Sequence, residues 1–419
     1  MKQIKISRLA VWSFGRIGLS LALMLALTLT LCSCDSDSGD DEPTISRRTI
    51  CAYMISETLE DPILRNVQMM VTGSTSINRD DVLLVYLDRP RKNSILMRIK
   101  EGRKDTLQVY DSDLHSTDPV VMNRVIKWCF DKYPSQSYVI VFASHGSWWL
   151  VRNDSVAVTR TPKTSYAYDN NGETINIPSL KYALSGLPKL DFIMWDCCNM
   201  QCVEVAYELK DVTTCLIGSP AEIPSAGGAY NTLLPVMFSN KSTYREDIVE
   251  EYVRNYETQG GDSLPFSLIY TQHIDNLARV TAEKLHLFMP EAPLDLKLNG
   301  HIFYFRDNKR MGDAVMYDMN NVMLTQIAQG DTANADYKEW KQALDMVVTL
   351  KKRGTHWNSS TLKYDDFYSF YKYMSSDKYY GGVSMFFPSS SYKYSSWDYN
   401  KDMHQLGWYY AVRWADFGW

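Results

Sequence analysis

Residues 190–200 read LDFIMWDCCNM. The near-continuous apolar run 190–195 has the length and composition of a strand buried on both faces. It stops at Asp196, passes Cys197 and Cys198, and runs into residues 200–209, which carry helical spacing. Strand, short loop and helix in that order form the unit from which parallel sheets are built. Reactive groups in such sheets gather beyond the carboxyl ends of the strands, where these two cysteines stand.

The same pattern recurs outward from this stretch. Residues 49–55, 81–87 (DVLLVYL), 138–143 (YVIVFA) and 213–218 (TTCLIG) read as buried strands, and 94–100 as a further strand or hairpin. Residues 59–72, 118–133 and 177–187 read as helices. In the second of these, Val120, Val121, Val125, Ile126 and Cys129 share one stripe. The fold class is therefore α/β: a mainly parallel central sheet flanked by helices over residues 48–290. Residues 291–419 read as a C-terminal subdomain packed on that sheet, with helices over 313–329, 337–352 and 367–374 and an aromatic tail. At 419 residues the chain exceeds one ordinary core.

A second strand, 138–143, runs out into Ser144-His145-Gly146-Ser147. Cysteine-based acyl transfer needs a thiolate beside a histidine that takes and returns a proton. It also needs backbone donors for the oxyanion. His145 and Cys198 fit the first requirement, and the N–H groups of Gly146 and Cys198 fit the second. A helix starting at residue 200 would place Cys198 at its N-terminus, where the local dipole lowers a thiol pKa.

Other chemistries find little support. A net charge of −5 gives no case for nucleic acid. The chain has no HExxH, no paired CxxC, no GxGxxG and no P-loop. No metal site is assigned. Residues 398–402 (DYNKD) begin like a calcium loop but lack its glycine and final glutamate. Residues 169–173 (DNNGE) read as a turn, and His115 as structural or surface.

The N-terminus is a targeting segment. Lys2, Lys5, Arg8 and Arg16 precede an uncharged apolar run, 19–31, which ends in Leu31-Cys32-Ser33-Cys34. That ending resembles a bacterial lipobox. Residues 1–33 then form a signal peptide, Cys34 carries lipid, and 34–47 form an acidic tether containing DSDSGDDEP. The tether resembles the surface-export signal of Bacteroidetes lipoproteins. It implies an outer-membrane lipoprotein facing the cell surface, held to the membrane by its lipid.

Four stretches resemble the clostripain family of cysteine peptidases. Residues 142–148 (FASHGSW) are similar to its histidine loop. Residues 190–200, followed by VEVAYEL (203–209), are similar to its Asp-Ala-Cys-x-Met nucleophile loop and helix. Residues 219–230 (SPAEIPSAGGAY) and 382–388 (GVSMFFP) resemble two later motifs. The likeness spans residues 48–419.

It implies a caspase-haemoglobinase fold and an endopeptidase working through a thioester acyl-enzyme, cutting after Arg or Lys. In this chain His145 and Cys198 would be the catalytic residues, and Asp196 would line the S1 pocket, with Glu222 as a second acid. Cys197 stands where the family usually has Ala, so the residues alone leave either cysteine open and the motif register selects Cys198. A His-to-Cys separation of about 50 residues also occurs in caspases. Family members often mature by cleavage between His and Cys. Here residues 151–168 (VRNDSVAVTRTPKTSYAY) offer Arg160 and Lys163. Calcium enters as a cofactor through the resemblance alone. The altered 219–230 loop keeps open an inactive surface-binding lipoprotein on the same fold. A transpeptidase using the same acyl-enzyme is the other alternative.

Overall fold

The computed structural model describes residues 45–149, 167, 169, 173–260, 264–288, 296, 298, 300–307, 313–354, 376–390, 392 and 398–419. Its strands, in chain order, are β1 (Ser46–Ile55), β2 (Val82–Asp88), β3 (Ser94–Lys100), β4 (Arg103–Tyr110), β5 (Ser135–Ala143), β6 (Phe192–Asp196), β7 (Cys215–Gly218), β8 (Phe266–Tyr270), β9 (Phe303–Asp307), β10 (Asp313–Asp318), β11 (Val348–Lys352) and β12 (Ser384–Phe386). The helices that bear on the site are α1 (Glu60–Gly73), α2 (Pro119–Lys132), α3 (Ile177–Ala183), α4 (Val203–Glu208), α5 (Tyr230–Met237), α6 (Tyr244–Gly260), α7 (Ile274–Phe288), α8 (Met319–Ala328) and α9 (Ala335–Val347).

The apolar runs of the sequence become the middle of a nine-stranded sheet, ordered β11-β8-β7-β6-β5-β1-β2-β3-β4. The five strands from β7 to β2 pair in parallel. The outer strands on both sides pair antiparallel. β4, a largely exposed edge strand, completes a hairpin with β3 and carries none of the apolar continuity that marks the centre.

Alternation along each central strand feeds two cores. Cys51 and Tyr53 of β1, Ile140 and Phe142 of β5, and Ile193 and Trp195 of β6 belong to one. Their neighbours Ile50 and Ala52, Val139 and Val141, and Phe192 and Met194 belong to the other. In the first layer Phe142 stacks on Trp195 with ring centroids 5.1 Å apart. Such a pair contributes about 1 kcal/mol beyond its burial and locks β5 to β6 just below their carboxyl ends. Local signals agree with this packing. Asp118 caps α2 by accepting from the N–H groups of Val120 and Val121, with Pro119 at the first turn.

Residues Ile45–Trp419 form one compact unit. A second sheet, β12-β10-β9, contributes Met316, Met385 and Phe386 to the first core. Two helices expected from the sequence are each split. In 313–329 the first part is strand β10, and the helix starts only after Asp318, whose carboxylate accepts from Asn321 N. In 337–352 the helix stops at Val347, and the β-branched run that follows pairs as β11 with the edge of β8. Edge pairing outweighs local helical spacing there. The expected helix at 367–374 lies outside the described residues. Among the described residues no helix is long and apolar enough to cross a membrane.

Candidate active site

β5 and β6 are direct neighbours, and Ala143 pairs with Asp196 at their carboxyl ends. His145 and Cys198 each lie two residues past that pair, so the two loops meet at one sheet edge. Gly146 seals the junction. A Cβ built there would come within 2.4 Å of the Cys198 carbonyl oxygen and 3.0 Å of the Cys197 Cβ. Only a residue without a side chain permits this approach. Trp148, Ala167 and Asn199 all adopt left-handed backbone, with φ of 46°, 58° and 63°. Such conformations in non-glycine residues concentrate at functional sites.

The two adjacent cysteines point different ways. Cys197 is fully buried, and its Sγ donates to the Phe142 carbonyl at 3.1 Å. Burial pushes its thiol far up. Cys198 is partly accessible. Ile223 N donates to its Sγ at 3.4 Å, and the thiol faces Ile223 O at 3.7 Å. Burial pushes the Cys198 thiol up to about 11, the Ile223 N–H opposes the rise, and the Glu222 and Asp196 charges add to it. The helix-dipole expectation for Cys198 is corrected here. α4 begins only at Val203, after Cys202, and residues 199–201 instead run along the 219–221 segment through Asn199 N to Ala221 O and Gln201 N to Ser219 O.

His145 is half-buried, and burial lowers its pKa while the nearby Glu57 carboxylate opposes the shift. Its Nε2 shares a 2.7 Å hydrogen bond with Thr58 Oγ1. No local sequence motif marks Thr58 or Glu57 as neighbours of this histidine. They sit just past the end of β1, the third parallel strand at this edge, so the strand-end rule that found the other two loops also reaches them. The His145 carbonyl accepts from Ala167 N at 3.0 Å. Arg160 and Lys163 lie between them in the chain, outside the described residues.

Asp196 is buried, with a carboxylate that accepts three hydrogen bonds. Tyr252 OH donates to Oδ1 at 2.7 Å, and Tyr230 OH and Gly228 N donate to Oδ2 at 2.7 and 3.1 Å. Burial raises its pKa against these three donors. Asp196 therefore anchors the 227–230 turn, whose other side is held by Asn66 Nδ2 on the carbonyls of Ala226 and Gly228. Glu222 lies half-buried one residue before Ile223 and close enough to Cys198 to act on its thiol.

Behind the nucleophile loop, Cys202 bridges Ser384 of β12, and Glu204 Oε1 accepts from Phe386 N at 2.7 Å. Glu204 is buried, and desolvation pushes its carboxyl up to about 8. Trp149, beyond the histidine loop, packs edge-on against Phe386 with ring centroids 5.3 Å apart. The C-terminal GVSMFFP motif thereby touches both loops. Cys51, Cys129 and Cys215 are buried free thiols. Cys34 lies outside the described residues.

Three comparisons bear on this arrangement. The profile of the clostripain family matches residues 52–419. A secreted C11 cysteine protease from Bacteroides thetaiotaomicron, solved with an irreversible peptide inhibitor, is 26% identical with a TM-score of 0.71, and the match covers 88% of this chain and 99% of that one. An inactive zymogen C11 protease from Parabacteroides distasonis is 22% identical with a TM-score of 0.68, over 88% of this chain and 99% of that one, and shows the same fold. No curated protein matches the chain.

Proposed function

The chain belongs to the clostripain family of cysteine peptidases, and from that premise we propose that Cys198 is the nucleophile of an endopeptidase and His145 its general base. Cys198 Sγ attacks the scissile carbonyl as His145 takes the thiol proton. The N–H groups of Gly146 and Cys198 receive the oxyanion. His145 then returns the proton to the leaving amine, and a thioester remains on Cys198. Water, deprotonated by His145, releases the acid product and restores the thiol. The observation that carries this reading is the pairing of Ala143 with Asp196, which starts both loops at one level. The buried, hydrogen-bonded Cys197 supports Cys198 as the reacting member of the pair.

A basic P1 side chain is the substrate feature this site favours. Glu222 would make the principal contact, because the Asp196 carboxylate already accepts three donors. Asp196 would add its charge and hold the pocket wall. Cleavage at Arg160 or Lys163 would free the chain that returns to His145 at Ala167. The Ile223 N–H that donates to Cys198 Sγ would favour the thiolate against the burial that pushes the thiol up. The lipobox at Cys34 and the acidic tether support anchoring at the outer-membrane surface.

Peptide libraries digested by the parent chain and by Cys198→Ala test the reading. Cleavage after Arg or Lys by the parent alone is expected. Equal turnover by both proteins rejects the nucleophile, and cleavage after neutral residues rejects the P1 assignment. No turnover with tight binding of a surface ligand would favour the inactive binder. Amide products with an added amine would indicate transpeptidation.

A further inference from the structure

We infer that His115, Asp169 and Glu173 form a site for one divalent cation of the zinc class. His115 belongs to the connection between β4 and α2, whereas Asp169 and Glu173 lie between the histidine loop and α3. The fold brings one ligand atom from each to within 4.8 Å of the others. His115 Nδ1 is 3.1 Å from Glu173 Oε2 and 3.9 Å from Asp169 Oδ2. Zinc bonds of about 2.1 Å in a tetrahedron separate neighbouring ligand atoms by about 3.4 Å, so these two distances bracket the required edge.

The surroundings are those of a built site. Asp169 is fully buried, and its carboxylate is fixed from behind. Thr117 Oγ1 donates to Oδ2 at 2.8 Å, and Glu173 N donates to Oδ1 at 3.0 Å. Partners of this kind orient metal-binding carboxylates. The His115 and Glu173 side chains remain 46% and 56% exposed, which leaves a side open for water as the remaining ligand. Two carboxylates drawn together repel unless a positive charge lies between them. An imidazole nitrogen in the set argues against calcium, which takes six to eight oxygens, and for zinc or its neighbours.

Asp169 and Glu173 follow the segment that contains Arg160 and Lys163. A bound ion would fasten this part of the chain to the β4–α2 connection, whether or not the segment is cut. The site stands apart from the peptidase reading, since none of its ligands takes part in that chemistry.

The test uses the full chain without affinity histidines, in a Cys198→Ala background so that the candidate nucleophile cannot take the metal. After chelator dialysis, zinc chloride is titrated by calorimetry, and cobalt chloride is followed by its visible absorption. One zinc per chain and a rise in Tm are expected, with calcium chloride giving neither. His115→Ala and Glu173→Gln should each abolish saturable binding while leaving the circular dichroism unchanged. Thr117→Val should weaken it by about tenfold. No saturable zinc binding, binding unchanged in the His115→Ala Glu173→Gln double variant, or a preference for calcium would each overturn the inference.

Discussion

The two ends of the nucleophile loop each carry a buried acid, and the acids are treated differently. At the front, Asp196 ends β6 and receives three hydrogen bonds, two from tyrosines and one from a backbone N–H. At the rear, Glu204 opens α4 with one carboxyl oxygen on Phe386 N, while Oε2 is buried with no hydrogen-bond partner among the described residues. The front is wired to the 227–230 turn, and the rear to the C-terminal sheet. Disturbing the front should therefore change catalysis, and disturbing the rear should change stability.

The largest effect expected at the front is from Cys198→Ala, a loss in kcat/KM on the order of 10⁴-fold or more. Cys197→Ala should stay within about tenfold of the parent, because its thiol packs inward. Peptide hydrolysis by the two variants checks this pair directly, and the reverse ranking would put the nucleophile at Cys197.

Glu204→Gln probes the rear. The folded-state carboxyl of Glu204 is raised from 4.5 to about 8. Between those values the unfolded chain holds fewer protons than the folded one, so stability falls as pH rises through that window. The full loss is on the order of 5 kcal/mol. Urea unfolding at pH 5 and pH 8 should show the variant relatively more stable at pH 8, with kcat/KM little changed. An identical pH dependence in both proteins would remove the contrast between the two acids.

Gly146→Ala should spread the loops, since its Cβ would meet the Cys198 carbonyl oxygen at 2.4 Å. A misplacement of that kind costs roughly 100-fold in rate. Thr58→Val, at the third strand end, should lower kcat/KM by about five- to tenfold through loss of one hydrogen bond. Thr58→Ser should restore the rate, and KM should hardly move. Loss of Tm without loss of rate would make Thr58 structural only.

The central sheet was legible because strands buried on both faces must be apolar throughout, as 82–87 and 138–143 are. The same rule identified the His145 and Cys198 loops as strand exits. What stayed hidden depends on partners distant in sequence. β11 exists because β8 offers an edge, and β10 because β9 and β12 flank it. The short α4, and with it the loss of a helix N-terminus at Cys198, follows from 199–201 running alongside 219–221. The tyrosines on Asp196 come from α5 and α6, whose positions no local pattern reveals. His115 and Asp169 are likewise brought together only by the fold.

Catalysis turns on which thiol reacts and what activates it. The most direct measurement is labelling of the full chain with an irreversible peptide electrophile carrying Arg at P1, mapped by mass spectrometry in the parent and in His145→Ala. One adduct on Cys198 in the parent, and none at the same exposure in His145→Ala, is the predicted result. An adduct on Cys197, or equal labelling of Cys198 in both proteins, would contradict it.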